Sequence, residues 1–160
     1  MSKYLLTIVA LLLAGCAARD AEVSNVPPAP ANTVVNMTEV RNQAALEKLR
    51  GNAGLTLQWI GWKYRGILDV SQRGSVVHLK GEQLQHGGLG RLEIDGDVVS
   101  IDSDSFIFRG RIAILDTPDA GRSCIKNGDS EFAITQNRKY WRMREFEWCD
   151  RLTDYIDIYF

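Results

Sequence analysis

The chain has 160 residues, 45% of them hydrophobic and 24% charged, with 19 Lys and Arg against 20 Asp and Glu. That length holds one ordinary core and a tether rather than several domains. The near-balance of charge leaves no broad field of the kind that draws a protein onto nucleic acid, so nucleic acid is set aside as a partner.

The first predicted element is an export signal. Lys3 precedes an apolar run from Leu5 to Leu13, which closes on Leu13-Ala14-Gly15-Cys16. The run falls well short of the ~20 residues that a membrane-spanning helix needs. A basic start, a short apolar stretch and a small-residue cleavage site are the parts of a cleaved signal peptide, here residues 1–15. The tetrad resembles the lipobox of bacterial lipoproteins. That resemblance implies that Cys16 is acylated, that cleavage falls just before it, and that three acyl chains hold the new N-terminus in a membrane. Several chains matter because a single one binds a bilayer only marginally, at about 0.8 kcal/mol per buried methylene. By the same resemblance an Asp after the cysteine retains a lipoprotein at the inner membrane. Ala17 stands there instead, so the expected address is the periplasmic face of the outer membrane, with the membrane itself a partner through the anchor.

Residues 16–36 follow as a tether. They are rich in Ala, Asn, Val and Pro around Val26-Pro27-Pro28-Ala29-Pro30, a composition that buries no core and extends by about 3 Å per residue. A short amphipathic helix is predicted over 37–51. Asn36 and Glu39 stand at capping-box spacing, Val40, Ala44 and Leu49 share a stripe, and Gly51 supplies a stop. Its expected task is to cover one end or edge of the domain that follows.

From 52 to 160 the period of hydrophobicity changes to two, in segments punctuated by Gly, Asp, Asn and Ser. Predicted strands include 55–59, the alternation Val77 and Leu79 around His78, and Leu92 and Ile94 among charged neighbours. Asp95-Gly96-Asp97 carries the Asp-Gly signature of a tight hairpin turn leading into 98–101. Phe106, Phe108, Ile112 and Ile114 share one face of a longer strand, with Arg109 and Arg111 on the other and Gly110 marking a bulge or sharp bend. Segments 132–135, 140–146 and 155–160 complete a set of about eight strands, mostly five or six residues long. With no helices between them, the predicted fold is all-β: a small antiparallel barrel, lipocalin-like in size, or else a sandwich.

If Cys16 bears lipid, Cys124 and Cys149 remain as an even pair in a chain sent to an oxidising compartment. Neither has a Cys or His at zinc-ligand spacing, which favours a disulfide over a metal pair. The bond would close a loop worth about 3–3.5 kcal/mol in the chain-entropy treatment. The chain ends in Ile156, Ile158 and Phe160 at alternate positions, which resembles the last strand of outer-membrane β-barrels. A membrane barrel needs ~9–11 residues in each of at least eight strands, and the predicted segments are shorter, so a water-facing barrel is expected.

Little catalytic chemistry is legible. His78 is read as a solvated side chain and His86 as part of the loop 86–90, neither with a visible nucleophile. That loop, Gly87-Gly88-Leu89-Gly90 after His86, lacks the Lys-Ser/Thr ending of a phosphate loop and is read as a turn. Asp95, Asp97, Asp102 and Asp104 are assigned to turn chemistry rather than to calcium. The aromatic residues say more. On one strand, Arg138, Tyr140, Arg142 and Arg144 project from the face opposite Trp141 and Met143. Such a face can hold an anionic envelope ligand through charge-assisted bonds and stacking, or its arginines can pair with Glu145, Glu147, Asp150 or Asp154. Trp59 and Trp62 are read as core and rim packing.

In general plan, attachment plus a small β-body, the chain is similar to periplasmic lysozyme-inhibitor lipoproteins, without an inhibitory-loop motif that matches residue by residue. The expected function is a non-enzymatic binding or envelope-maintenance module, with no cofactor and no metal. Envelope protein, peptidoglycan or lipopolysaccharide are its candidate partners. Two other readings remain: a small periplasmic enzyme working through a carboxylate pair, and an accessory subunit of an envelope assembly or secretion complex that offers a strand edge.

Overall fold

The structure is a computed structural model, and it describes residues 34–160. The signal peptide, Cys16 and the tether as far as residue 33 lie outside the described residues.

Alternation in the sequence becomes a barrel wall. Among the described residues the chain forms β1 (Glu39–Val40), α1 (Gln43–Arg50), β2 (Leu55–Leu57), β3 (Ile67–Arg73), β4 (Val76–Leu84), β5 (Arg91–Ile101), β6 (Ser105–Leu115), β7 (Ser123–Ala133), β8 (Tyr140–Met143) and β9 (Ile156–Tyr159). Strands β2 to β9 run as an antiparallel meander in which β9 returns to pair with β2. A single bridge, Leu55 to Gly66, then links β2 with the approach to β3, so the barrel is nearly closed. The sandwich alternative is thereby set aside. One side chain in two points inward, and those positions carry Leu79, Leu92, Ile94, Val98, Phe106, Phe108, Ile112, Phe132, Trp141, Met143, Ile156 and Ile158, all essentially inaccessible to water. Each such side chain contributes about 1.5–3 kcal/mol of burial. Four aromatic rings fill the centre: Phe106 stacks on Phe132 at 5.0 Å and meets Trp141 edge-on at 5.7 Å, while Phe108 meets Phe132 edge-on at 6.4 Å.

The helix starts later than its sequence suggests. Asn42, not Asn36, is the N-cap, and its side chain accepts from the Ala45 backbone N–H at 2.9 Å. The segment expected to open the helix is instead drawn into β1, which pairs in parallel with the end of β5. Thr38 fixes it there, its hydroxyl donating to Val98 O at 2.7 Å and accepting from Val77 N–H at 2.8 Å. The buried stripe of α1 is Ala45, Leu46 and Leu49 rather than one containing Val40 and Ala44, which are exposed. The helix ends at Gly51. It packs against β3, where Arg50 bonds Gln72 at 2.9 Å and, just past the helix, Asn52 Nδ2 donates to Leu68 O at 3.0 Å.

Strands β5, β6 and β7 are eleven residues each, about twice the expected length. The Asp95-Gly96-Asp97 turn does not exist. Gly96 lies in the middle of β5, opposite Gly110 of β6, which in turn lies opposite Gly128 of β7. A Cβ on Gly96 would meet Gly110 Cα at 2.5 Å and Phe108 Cζ at 2.7 Å, and a Cβ on Gly110 would meet the same ring. The facing Gly96 and Gly110 therefore let β5 and β6 approach tightly over one phenylalanine, a device for bending a sheet. The register irregularity lies elsewhere, between Val98 and Ser100. The length argument against a membrane barrel falls with the short strands. What separates this wall from a lipid-facing one is polarity, since the apolar residues point inward and Lys80, Glu93, Asp95, Arg109, Arg111 and Asp129 point outward.

β7 and β8 pair only at Phe132–Met143 and Ala133–Arg142. Above that point the ladder gives way to cross-links. Cys124 and Cys149 form a disulfide. Beside it, Arg122, 5% exposed at its side chain, binds Asp150 and the fully buried Asp154 with four bonds of 2.8–2.9 Å. Trp59 Nε1 donates to the same Asp154 at 2.9 Å.

Candidate functional site

The interior is occupied by side chains, so the outer wall holds the candidate sites. It has two contrasting sides. On β4 to β7 the outward residues neutralise one another: Arg109 binds Asp129 at 2.7 Å, Arg111 binds Glu93 at 2.8 Å, and Lys80 lies 3.8 Å from Asp95. His78 belongs to this side, and contrary to the sequence reading it is buried, 4% exposed. Its Nδ1 lies 2.8 Å from Asp97 and its Nε2 3.2 Å from Asp95. The acids assigned to turn chemistry at 95 and 97 thus flank an imidazole across the β4–β5 ladder, where register sets His78 opposite Asp97.

The other side, on β2, β9 and β8, is aromatic. Inward Trp141, Met143, Ile156 and Ile158 leave Tyr140, Arg142, Asp157 and Tyr159 facing out. Arg142 is the centre. Its guanidinium makes a two-pronged pair with Asp157 at 2.7 and 2.8 Å and lies 3.9 Å from the Tyr155 ring, 5.2 Å from Tyr140 and 5.8 Å from Trp62. Around it, Tyr140 and Tyr159 pack at 5.2 Å, and Arg65 lies 3.9 Å over Tyr159. Thr56 donates to Tyr159 Oη at 3.4 Å.

Electrostatically the centre of this cluster is a paired charge. The bond to Asp157 holds the Arg142 guanidinium above its ordinary value, so its charge is permanent, but that charge is already spent on a buried carboxylate. Burial pushes the Asp157 carboxyl up in spite of the bound guanidinium, and burial also raises Tyr159. The Asp157 side chain is 1% exposed.

Of the four residues singled out by sequence, three come together. Arg138 lies 5.6 Å from the Tyr140 ring and bonds Gln136, while Tyr140 and Arg142 share the face described. Arg144 lies past the end of β8, exposed, with its backbone N–H on Glu131 O at 2.8 Å. None of the acids proposed as partners holds Arg142; Asp157 does. Trp62, Tyr155 and Tyr159 were missed as members of the face. The alternation Tyr155, Asp157, Tyr159 carries their signal, since it has the outward parity of Tyr140 and Arg142. What the sequence lacked was the pairing of β8 with β9. The carboxylates buried deepest, Asp154 and Asp157, are each bound by an arginine, the arrangement of structural pairs.

Comparison with known proteins places this geometry among relatives. A family model described as the PM1083 family matches residues 37–160. An uncharacterized protein of Pasteurella multocida (strain Pm70), PM1083, is 35% identical over 130 residues, 80% of either chain. No solved structure matches the chain.

Proposed function

The chain belongs to the PM1083 family, and on the features above we propose that it is a non-enzymatic binding module of the bacterial envelope, anchored by Cys16 to the periplasmic face of the outer membrane. The binding surface is the aromatic wall of β2, β9 and β8. The single observation that carries this reading is the packing of Trp62, Tyr140 and Tyr155 around the Arg142–Asp157 pair. Tyr, Trp and Arg are the residues in which binding energy concentrates at protein interfaces, because they bury a large rigid area while satisfying their polar ends. Arg142 is neutralised by Asp157, which favours an envelope protein over a phosphate or carboxylate of lipopolysaccharide or peptidoglycan at this spot. Oxidising conditions at the proposed address agree with the Cys124–Cys149 disulfide.

The test is site-specific photo-crosslinking in cells, with a photoreactive residue at position 140 on the aromatic wall or at position 80 on the charge-paired wall. The reading predicts a discrete adduct from 140 that is lost in an Arg138→Ala, Trp62→Ala background, and none from 80. Equal adducts from both walls, or none from 140, contradict it.

A further inference from the structure

One end of the barrel carries exposed apolar residues. Trp62 is 45% exposed, Tyr64 66%, Leu84 61% and Leu89 75%, and all four belong to the β2–β3 loop or the β4–β5 hairpin. Trp62, Tyr64, Leu84 and His86 line one cleft with Ile60, and Tyr64 stacks with His86 at 6.2 Å, so the two loops form a continuous patch. Clustered exposed apolar residues of this kind mark an interaction surface.

Composition identifies the occupant. Neither 59–68 nor 83–92 contains an acidic residue, while Lys63, Arg65 and Arg91 lie within them. Lys63 Nζ lies 5.3 Å from the Tyr64 ring, which sets a cation beside the apolar tip. Trp and Tyr with aliphatic neighbours and flanking Lys and Arg are the side chains that settle at a bilayer interface, rings at headgroup depth and cations against the phosphates. Acid-free loops are electrostatically complementary to anionic phospholipid. We propose that Trp62, Tyr64, Leu84 and Leu89 dip into the headgroup region of an anionic phospholipid bilayer, with Lys63 on its phosphates, so that the barrel docks by these two loops rather than hanging free on its tether. This deepens the anchored reading above, because the lipid on Cys16 would supply attachment and the loops orientation. A docked end would also set the aromatic wall, which shares Trp62, beside the membrane surface.

The experiment uses the full wild-type chain isolated from the envelope and reconstituted into vesicles of phosphatidylethanolamine and phosphatidylglycerol with brominated acyl chains. Bromine quenches a tryptophan that enters the bilayer. Trp59 and Trp148 are half-buried and Trp141 is buried, so Trp62 is the reporter. The proposal expects quenching in the wild type that disappears in Trp62→Phe. It also expects weaker quenching in a Tyr64→Ser, Leu89→Ser variant, with a docked-to-undocked ratio about fivefold lower in Lys63→Gln. Wild-type fluorescence that is indifferent to bromine, or quenching that survives Trp62→Phe unchanged, overturns it. So does a Trp62 shielded in native envelopes but unquenched in protein-free vesicles, which would assign the patch to a protein. The mass of the same sample reports acylation of Cys16 separately, so loss of the anchor and loss of docking are distinguishable.

Discussion

Two arginines hold buried carboxylates in this barrel, and their environments make different demands. Arg122 and Asp154 are 5% and 0% exposed. Removing one partner strands the other, at about 3–5 kcal/mol. Arg122→Ala should therefore lower the unfolding free energy read from urea denaturation by that amount, whereas Arg111→Gln, on the open wall, should change it by about 1 kcal/mol or less. Asp157 adds a test of sign. Its folded carboxyl is raised by burial above the ordinary value, so its ionisation opposes folding and that opposition fades as pH falls through the raised value. Asp129 is lowered chiefly by its bond to Arg109, so its stabilisation is present above the ordinary carboxylate range and is lost as pH falls through the lowered value. Measured by urea unfolding between about pH 7 and pH 3, the wild type should gain stability relative to Asp157→Asn and lose it relative to Asp129→Asn. Two slopes of the same sign would contradict the assignment of burial as the dominant effect at Asp157.

At the scale of elements, the glycine row and the disulfide decide whether the long strands close. Gly96→Ala would drive a methyl into Gly110 and the Phe108 ring, and should destabilise by about 1–3 kcal/mol as overpacking does. Replacing Cys124 and Cys149 together by Ser should remove about 3 kcal/mol, since the bond spans 25 residues; both losses are read from chemical denaturation. The row also explains where sequence reading stopped. Asp95-Gly96-Asp97 has the local chemistry of a turn, and only the alignment of Gly96 with Gly110 shows that the glycine serves strand-to-strand approach. A turn at Gly96 divides β5 in the sequence, and Lys126, Asn127 and Asp129 interrupt the hydrophobicity of β7 so that its periodicity does not show. Local periodicity was enough for the inward sets of β6 and β8, where Phe106, Phe108, Ile112 and Ile114, and Trp141 with Met143, all face the core. His78 shows the same boundary. Its outward parity is legible in the sequence, while the two acids that flank it come from a neighbouring strand.

Residues 34–160 form a filled barrel whose chemistry is on its surface: a charge-paired wall, an aromatic wall and, at one end, two apolar segments without acids, 59–68 and 83–92. Barrel architecture was readable because strand spacing without helices leaves few alternatives. The aromatic wall was half readable, since Arg138, Tyr140 and Arg142 lie on one strand but their partners Trp62, Tyr155, Asp157 and Tyr159 come from segments brought together by closure. The roles proposed for the aromatic wall and the apolar loops assume a chain held at a membrane, and the proposal for that rests on Leu13-Ala14-Gly15-Cys16. Intact mass spectrometry of the chain purified from envelope is the direct measurement. The account predicts a polypeptide beginning at Cys16 and heavier than its residues by a glyceride bearing acyl chains; a retained Met1, or an unmodified Cys16 thiol, would contradict it.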